Sequence, residues 1–295
     1  MDLSEKYQIV NTLGNQAVRK FGTVFLVERR SDGKQLVMKH IQIDAKESHL
    51  IERARREATF TFQVVGLPVI VEEMQTEKEL ALIKEYVPGT PLDNYWQSIP
   101  KKERISELIK ILHALEPLFN VLKENGIVHC DIKPSNILIH KNNAHIEAQL
   151  IDFGLAIRQH EDKRFKMLFP LGFASPELLL NRLNCVDHTS DLFALGITIW
   201  KLFVGQLPLT HPNPSIFTNL QLTYPLPDHS NLPKGLYPII QKMCYKHQFK
   251  TAPNRMNTLE VNALLGEARQ HRYQSLADVI VELERLPQRK SWWPF

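Results

Sequence analysis

Three cysteines in 295 residues are too few and too scattered to organise a fold. Cys130, Cys185 and Cys244 are odd in number and far apart, which leaves neither a disulfide framework nor a CxxC metal pair. A reducing compartment, and with it a cytoplasmic location, is the expectation. Long apolar runs are missing too. No window approaches the roughly eighteen consecutive apolar residues of a membrane span, and the N-terminus, MDLSEKYQIV, has no basic segment followed by an apolar one. Neither a signal peptide nor a transmembrane span is therefore expected. An excess of one charge is also lacking: the formal net charge is +4, with Lys and Arg interspersed among Asp and Glu, which argues against nucleic acid as a partner. With 43% hydrophobic residues the chain can bury a substantial core, as one two-lobed unit or as two small domains.

What is present is the stretch HCDIKPSNILI, His129 to Ile139, followed thirteen residues later by Asp152-Phe153-Gly154. Moving a γ-phosphoryl group requires a carboxylate to orient the attacking hydroxyl, oxygen ligands for Mg²⁺, and a cation near the transferred charge. Asp131 suits the carboxylate, Lys133 the cation, and Asn136 with Asp152 the metal ligands. Asn136 follows Asp131 by five residues, a spacing by which one loop aims both side chains at the same phosphate. Ile137-Leu138-Ile139 reads as a short buried strand, Asn142-Asn143 as a turn, and Ala148 to Ile151 as the hairpin partner.

These residues resemble the eukaryotic-type protein kinase family: Asp131 matches the aspartate of its HRD motif and Asp152 that of DFG. The resemblance implies an α+β, two-lobed fold, with a small antiparallel sheet and one helix in the N-lobe and a larger, mainly helical C-lobe. It implies ATP and Mg²⁺ as cofactors and proteins as substrates. Residues 1–87 are expected as the N-lobe, 88–288 as the C-lobe and 289–295 as a tail.

Tyr7 to Leu13 and Thr23 to Val27 are short runs of β-branched and apolar residues about a glycine-bearing segment, which predicts a hairpin. In LGNQAVRKFGTV, Gly14 and Gly22 are eight apart where the family has five, so the phosphate-covering loop carries a three-residue insertion. Its Arg19 and Lys20 read as a solvated tip. Leu36-Val37-Met38-Lys39 resembles the family's VAIK strand, with Lys39 implied on the α- and β-phosphates. Glu47 to Phe62 has helical character. Glu57, eighteen residues past Lys39, is implied as the partner that aims this lysine, with Glu52 as the alternative. Val69 to Val71 and Leu80 to Ile83 read as further strands. Glu85 to Gly89 resembles the hinge whose backbone, at Glu85 and Val87, bonds adenine, while Leu13, Val24, Val37 and Leu138 sandwich the ring and Gly14 and Gly22 flank the phosphates. Lys84 stands just before the hinge, where the family usually has an apolar residue. It needs a partner acid or a path to solvent.

Apolar positions from Ile105 to Leu122 follow a helical period over about five turns and end at Gly126. Ser175-Pro176-Glu177 resembles the close of an activation segment. Glu177 is implied in a buried ion pair, with Arg272 the first choice of partner and Arg255 the second. Ser190 to Gly196 resembles the start of the family's central helix, where Asp191 holds the catalytic-loop backbone, and LFALGITIWKLFVG is apolar nearly all round, as a buried helix is. Helices are predicted around Leu236 to Tyr245, Leu259 to Ala268 and Ser275 to Leu286. The tail RKSWWPF combines cations with tryptophans and reads as a frayed end, or as an interfacial membrane or partner contact.

Two features bear on regulation and specificity. Cys130 occupies the position where many kinases carry an arginine that receives a phosphorylated activation-loop residue, and Leu155 to Pro170 contains no Ser, Thr or Tyr. The segment is therefore expected to work without phosphorylation in that stretch. Lys133 resembles Ser/Thr kinases, whereas Phe169-Pro170 and the following residues resemble the tyrosine-kinase segment, so Ser/Thr transfer is expected with tyrosine or dual specificity as the alternative. The competing readings are a pseudokinase scaffold, favoured by the irregular glycine loop and Lys84, and a small-molecule kinase, disfavoured by the Pro-Glu close and the central-helix Asp191.

Overall fold

The computed structural model describes residues 3–13, 22–43, 48–143, 145–159, 169–249 and 251–286. Gly14, the loop tip with Arg19 and Lys20, and the tryptophan-bearing tail lie outside the described residues. The chain divides into two compact units, one running to Gly89 and taking in Leu150–Leu155, the other made of Thr90–Gln149 and the described residues from Ala156 onward. The expected single boundary near residue 87 is thus crossed by Leu150–Leu155. Phe153 explains why: its ring packs on Phe60 and Phe62 at centroid distances of 5.9 and 5.3 Å, and Leu150 N–H bonds the Gly66 carbonyl at 2.9 Å.

The first unit begins with one helical turn, α1 (Leu3–Lys6), and builds an antiparallel sheet from β1 (Tyr7–Thr12), β2 (Thr23–Arg29), β3 (Gln35–Gln42), β4 (Ile70–Gln75) and β5 (Glu79–Glu85), in the order β1-β2-β3-β5-β4. Strand alternation assigns the faces. Leu36 and Met38 of β3 join Tyr7, Val27, Ala81 and Ile83 in one core cluster. Lys39 and Ile41, pointing the other way, face helix α2 (Ser48–Ala58), whose Leu50 and Ala54 pack on Ile41 and Leu80. The predicted helix was longer, to Phe62. It stops because Thr59 and Phe60 close its last turn with bonds to the Arg56 and Glu57 carbonyls, which frees Phe60 and Phe62 to reach Phe153.

Gly22, at φ +88°, begins β2 in a conformation that L side chains rarely adopt, and a Cβ there would lie 2.6 Å from the His40 carbonyl oxygen. Gly22→Ala is expected to destabilise the protein by about 1–3 kcal/mol, the usual cost of such backbone strain, read as a lowered urea midpoint with an unchanged slope.

The second unit opens with β6 (Thr90–Pro91) and α3 (Leu92–Gln97), followed by the long helix α4 (Arg104–Glu124), which ends before Gly126 at φ +62°. β7 (Ile127–Val128), β8 (Ile137–Asn142), β9 (His145–Leu150) and β10 (Ile157–Arg158) form two small sheets, β6-β8-β9 and β10-β7. The β8–β9 turn falls at Asn143, φ +55°, as the Asn-Asn pair suggests, but β9 starts three residues before the predicted Ala148. After the turn-like α5 (Pro176–Leu179) comes the central helix α6 (His188–Val204), with Leu192 to Ile197 and Ile199 to Trp200 all buried. Asp187 caps it by accepting the Thr189 N–H at 2.9 Å, and Gly205 ends it at φ +91°. α7 (Pro214–Thr223), α8 (Leu236–Met243), α9 (Thr258–His271) and α10 (Leu276–Glu284) complete the unit. Neither α3 nor α7 was predicted, whereas α8, α9 and α10 lie where helices were.

Candidate active site

The motif residues fall into two clusters, one in each unit. In the first, α2 presents Leu50, Ala54 and Glu57 on one stripe, at positions i, i+4 and i+7, so the helix face that packs on the sheet also carries the carboxylate inward. Lys39 projects from the same sheet face and meets it. Its Nζ lies 2.6 Å from Glu57 Oε2 and 3.2 Å from Asp152 Oδ1, with Glu57 only 1% and Lys39 6% exposed. Glu57 and not Glu52 is therefore the partner, since Glu52 lies off the stripe and is exposed. Burial raises the Glu57 pKa, but the ammonium groups of Lys39 and Lys84 outweigh it and leave the carboxyl below its ordinary value. Burial likewise lowers the pKa of Lys39, and the carboxylates of Asp152 and Glu57 reverse the sign.

Lys84 has found its acid. Its Nζ is 2.5 Å from Glu57 Oε1, the oxygen that Lys39 does not take. A second residue escaped the motif reading: Arg53 places Nη2 3.0 Å from Asp152 Oδ2. Its signal was available, because Arg53 precedes Glu57 by one helical turn. The Arg53 side chain also lies so close over Gly154 that a Cβ there would sit 2.5 Å from its Cγ, which fits glycine at that position.

The implied nucleotide-pocket residues of this unit sit along the sheet. Val24 of β2 pairs with Lys39, Val37 of β3 pairs with Lys84, and Leu13 N–H bonds the Val24 carbonyl at 2.8 Å. Val24, Val37 and Leu13 are half-buried. The Glu85 N–H goes to the Val69 carbonyl at 3.0 Å and its carboxylate pairs with Lys34 at 2.6 Å, while Val87 is exposed.

The second cluster hangs on Asp191 in the first turn of α6. Its Oδ2 accepts the His129 N–H at 2.7 Å and its Oδ1 the Cys130 N–H at 2.9 Å, pinning a loop in which Cys130 adopts φ +62°. Burial pushes the Asp191 carboxyl up to about 7 against the pull of these two donors. The pinned loop delivers Asp131, 1% exposed, with Lys133 Nζ at 2.8 and 3.0 Å from its two carboxylate oxygens. Asn136, in a short 3₁₀ turn, donates Nδ2 to the Asp131 main-chain carbonyl at 2.9 Å. That bond anchors the amide through its nitrogen. Leu138 follows, half-buried in β8.

Further along, Glu177 and Arg272 are both fully buried and meet in a two-pronged pair, Nη1 to Oε1 at 2.6 Å and Nη2 to Oε2 at 3.1 Å, with Ser190 Oγ adding 2.6 Å to Oε1. Arg272 and not Arg255 is the partner. The charge and hydrogen bonds of Arg272 and Ser190 overcome burial and hold the Glu177 carboxyl below its usual range.

Each cluster by itself holds residue types that phosphoryl transfer uses: in the second unit a buried carboxylate braced by a lysine beside an anchored amide, in the first a carboxylate held by cations. Among the described residues no helix is long and apolar enough to cross a membrane. The protein kinase domain model matches residues 7–260. The chain is 28% identical over 225 residues to the serine/threonine-protein kinase pkn2 of Myxococcus xanthus, covering 73% of this chain and 26% of that protein. It is 25% identical over 225 residues to the serine/threonine-protein kinase SBK1 of Danio rerio, covering 73% and 55%, and 25% over 221 residues to CBL-interacting protein kinase 14 of Oryza sativa subsp. japonica, covering 72% and 48%. The chain thus spans between about a quarter and about half of these relatives' lengths. Since the family model runs through both clusters and well over half of the sequence, the chain belongs to the protein kinase domain family.

Proposed function

We propose that this chain transfers the γ-phosphate of ATP to Ser and Thr hydroxyls of protein substrates. The observation that carries the reading is the Asp131–Lys133 pair beside Asn136: a carboxylate withdrawn from solvent, its two oxygens on one ammonium, on a loop held by Asp191. In this reading Asp131 orients the acceptor hydroxyl and takes its proton, and Lys133 stabilises charge on the transferred group. Lys39, aimed by Glu57, grips the α- and β-phosphates, and the half-buried Leu13, Val24, Val37 and Leu138 enclose the adenine.

The donor set fits Mg²⁺, a hard cation that takes oxygen ligands and keeps part of its shell for water and phosphate. Asp152 offers a carboxylate, and Asn136, its Nδ2 committed to the loop, offers Oδ1. The metal would neutralise charge on the transferred phosphate.

Three further points support the finer reading. Lys133 favours Ser/Thr over Tyr as acceptor, and two of the relatives are named as serine/threonine-protein kinases. The absence of hydroxyl residues from Leu155 to Pro170, with Cys130 buried where a phosphate-receiving arginine would stand, supports activity without phosphorylation of that stretch. All three cysteines are buried and none is in a disulfide, which supports a cytoplasmic setting.

The test is transfer from labelled ATP with Mg²⁺ to a generic protein substrate, with phosphoamino-acid analysis, comparing wild type and Asp152→Ala. Phosphoserine and phosphothreonine from wild type, and transfer lowered on the order of 100-fold or more in Asp152→Ala, are expected from loss of a metal ligand. Wild type that neither transfers phosphate nor binds ATP with Mg²⁺ would sink the proposal, and a phosphotyrosine product would overturn its acceptor class.

A further inference from the structure

Glu57 is a single carboxylate, 1% exposed, with a different ammonium on each oxygen. One of them, Lys39, is shared: it also faces Asp152 Oδ1 at 3.2 Å. The other, Lys84, comes from β5 at the position paired with Val37, while Lys39 of β3 is paired with Leu82. The two lysines therefore stand on the same face of one β3–β5 ladder, the face that α2 covers, and both are largely buried, with side chains 7% and 14% exposed. Both are presented by paired strands and not by loops. Any movement of Lys39 towards another anion would, with Lys39 alone, strand Glu57 as an uncompensated buried charge, which is strongly destabilising. With Lys84 in place it does not.

We propose that Lys84 is a positioning residue that holds Glu57, and with it helix α2, in place independently of Lys39. Its consequence for catalysis rests on the phosphoryl-transfer reading above: Lys39 is left to serve Asp152 and the phosphates while Lys84 keeps Glu57 neutralised. The placement of α2 itself does not depend on that reading.

The experiment is a cycle of Lys39→Met, Lys84→Met and the double variant, read by hydrogen exchange at the amides of Leu50 to Ala58. Each single variant is expected to stay within about 3-fold of wild-type exchange, and the double variant to exchange on the order of 30-fold faster, because only there does the buried carboxylate lose both lysines. If the double variant does not fold, Glu57→Gln is added to remove the stranded charge. Recovered folding then supports the proposal, and continued failure overturns it.

A kinetic readout separates positioning from mere packing. Lys84→Met leaves Glu57 to Lys39 and draws that lysine from the nucleotide, so KM for ATP is expected to rise about 5-fold with kcat within about 2-fold, and Lys84→Arg to restore KM. Exchange in Lys39→Met alone as fast as in the double variant would overturn the proposal even in a fully active kinase. The expected exchange pattern in a protein that transfers no phosphate would uphold the placement of α2 while removing the phosphoryl-transfer reading.

Discussion

Asp131→Asn is expected to lower kcat for phosphate transfer by about 10³-fold, within the range for loss of a positioned general base, and to change KM for ATP by less than about 3-fold. The substitution keeps the volume of a residue that is 1% exposed and removes its charge. Two local bonds survive it, because they use the main chain: the Asn136 Nδ2 bond to the Asp131 carbonyl at 2.9 Å and the Asp131 N–H bond to His129 Nδ1 at 3.2 Å. The loop is also tethered from Asp191 through His129 and Cys130, neither bond involving the altered side chain. What is lost is the proposed acceptor for the substrate proton and the anchor of the Lys133 ammonium. Stopped-flow or steady-state transfer assays measure the loss, and an unchanged thermal midpoint shows that it is chemical. A variant retaining more than about a tenth of wild-type kcat would remove Asp131 from the mechanism.

The largest effect on stability is expected at the Glu177–Arg272 pair. Arg272→Met leaves the Glu177 carboxylate fully buried with Ser190 Oγ but no cation, and breaking a buried pair from one side typically costs about 3–5 kcal/mol. For a protein of this size that is a large part of the stability, and the variant is expected to unfold at a clearly lower guanidinium midpoint. Replacing both partners, Glu177→Leu with Arg272→Met, should recover most of the loss, since a buried pair exchanged for apolar groups of similar volume is often neutral. The pH dependence has a defined sign. Because the folded-state pKa of Glu177 lies below its ordinary 4.5, the pair's contribution is fully present above that value and is lost as pH falls through the lowered one. Wild type should therefore lose stability on acidification in this window, and the doubly apolar variant should lose less. Equal acid sensitivity of the two proteins would assign the acid lability to other groups.

The parts of this architecture that showed in the sequence are those in which local periodicity and burial agree. β3 was legible as the run Leu36-Val37-Met38-Lys39 that resembles a family strand, and the pleat of the strand puts Lys39 on the face that meets α2. Within α2 the burial stripe of Leu50, Ala54 and Glu57 distinguishes Glu57 from Glu52, though choosing between them in advance took a motif spacing and not the helix itself. α3 and α7 were missed for a different reason. Each starts with a proline, Pro91 before α3 and Pro214 as the first residue of α7, and Asn213 caps α7 by accepting N–H groups from Ser215 and Ile216. Those start signals were in the chain, but PSIFTNLQLT has no clean apolar period to join them to. The partner of Lys84 was not legible at all. It depends on the register of β5 against β3 and on where α2 lands, and neither is encoded near residue 84. Arg53 stands between these cases, one turn from Glu57, on a face whose direction only the packed helix defines.

Glu177 and Arg272 are separated by 95 residues, and the interval is also a time. A ribosome adding about 5–20 residues per second leaves Glu177 without its cation for several to roughly twenty seconds after it is made. Through that interval the carboxylate is better hydrated than enclosed, because burying it without its cation costs more than the pair returns. α6 and the loop held by Asp191 are made well before Arg272 is.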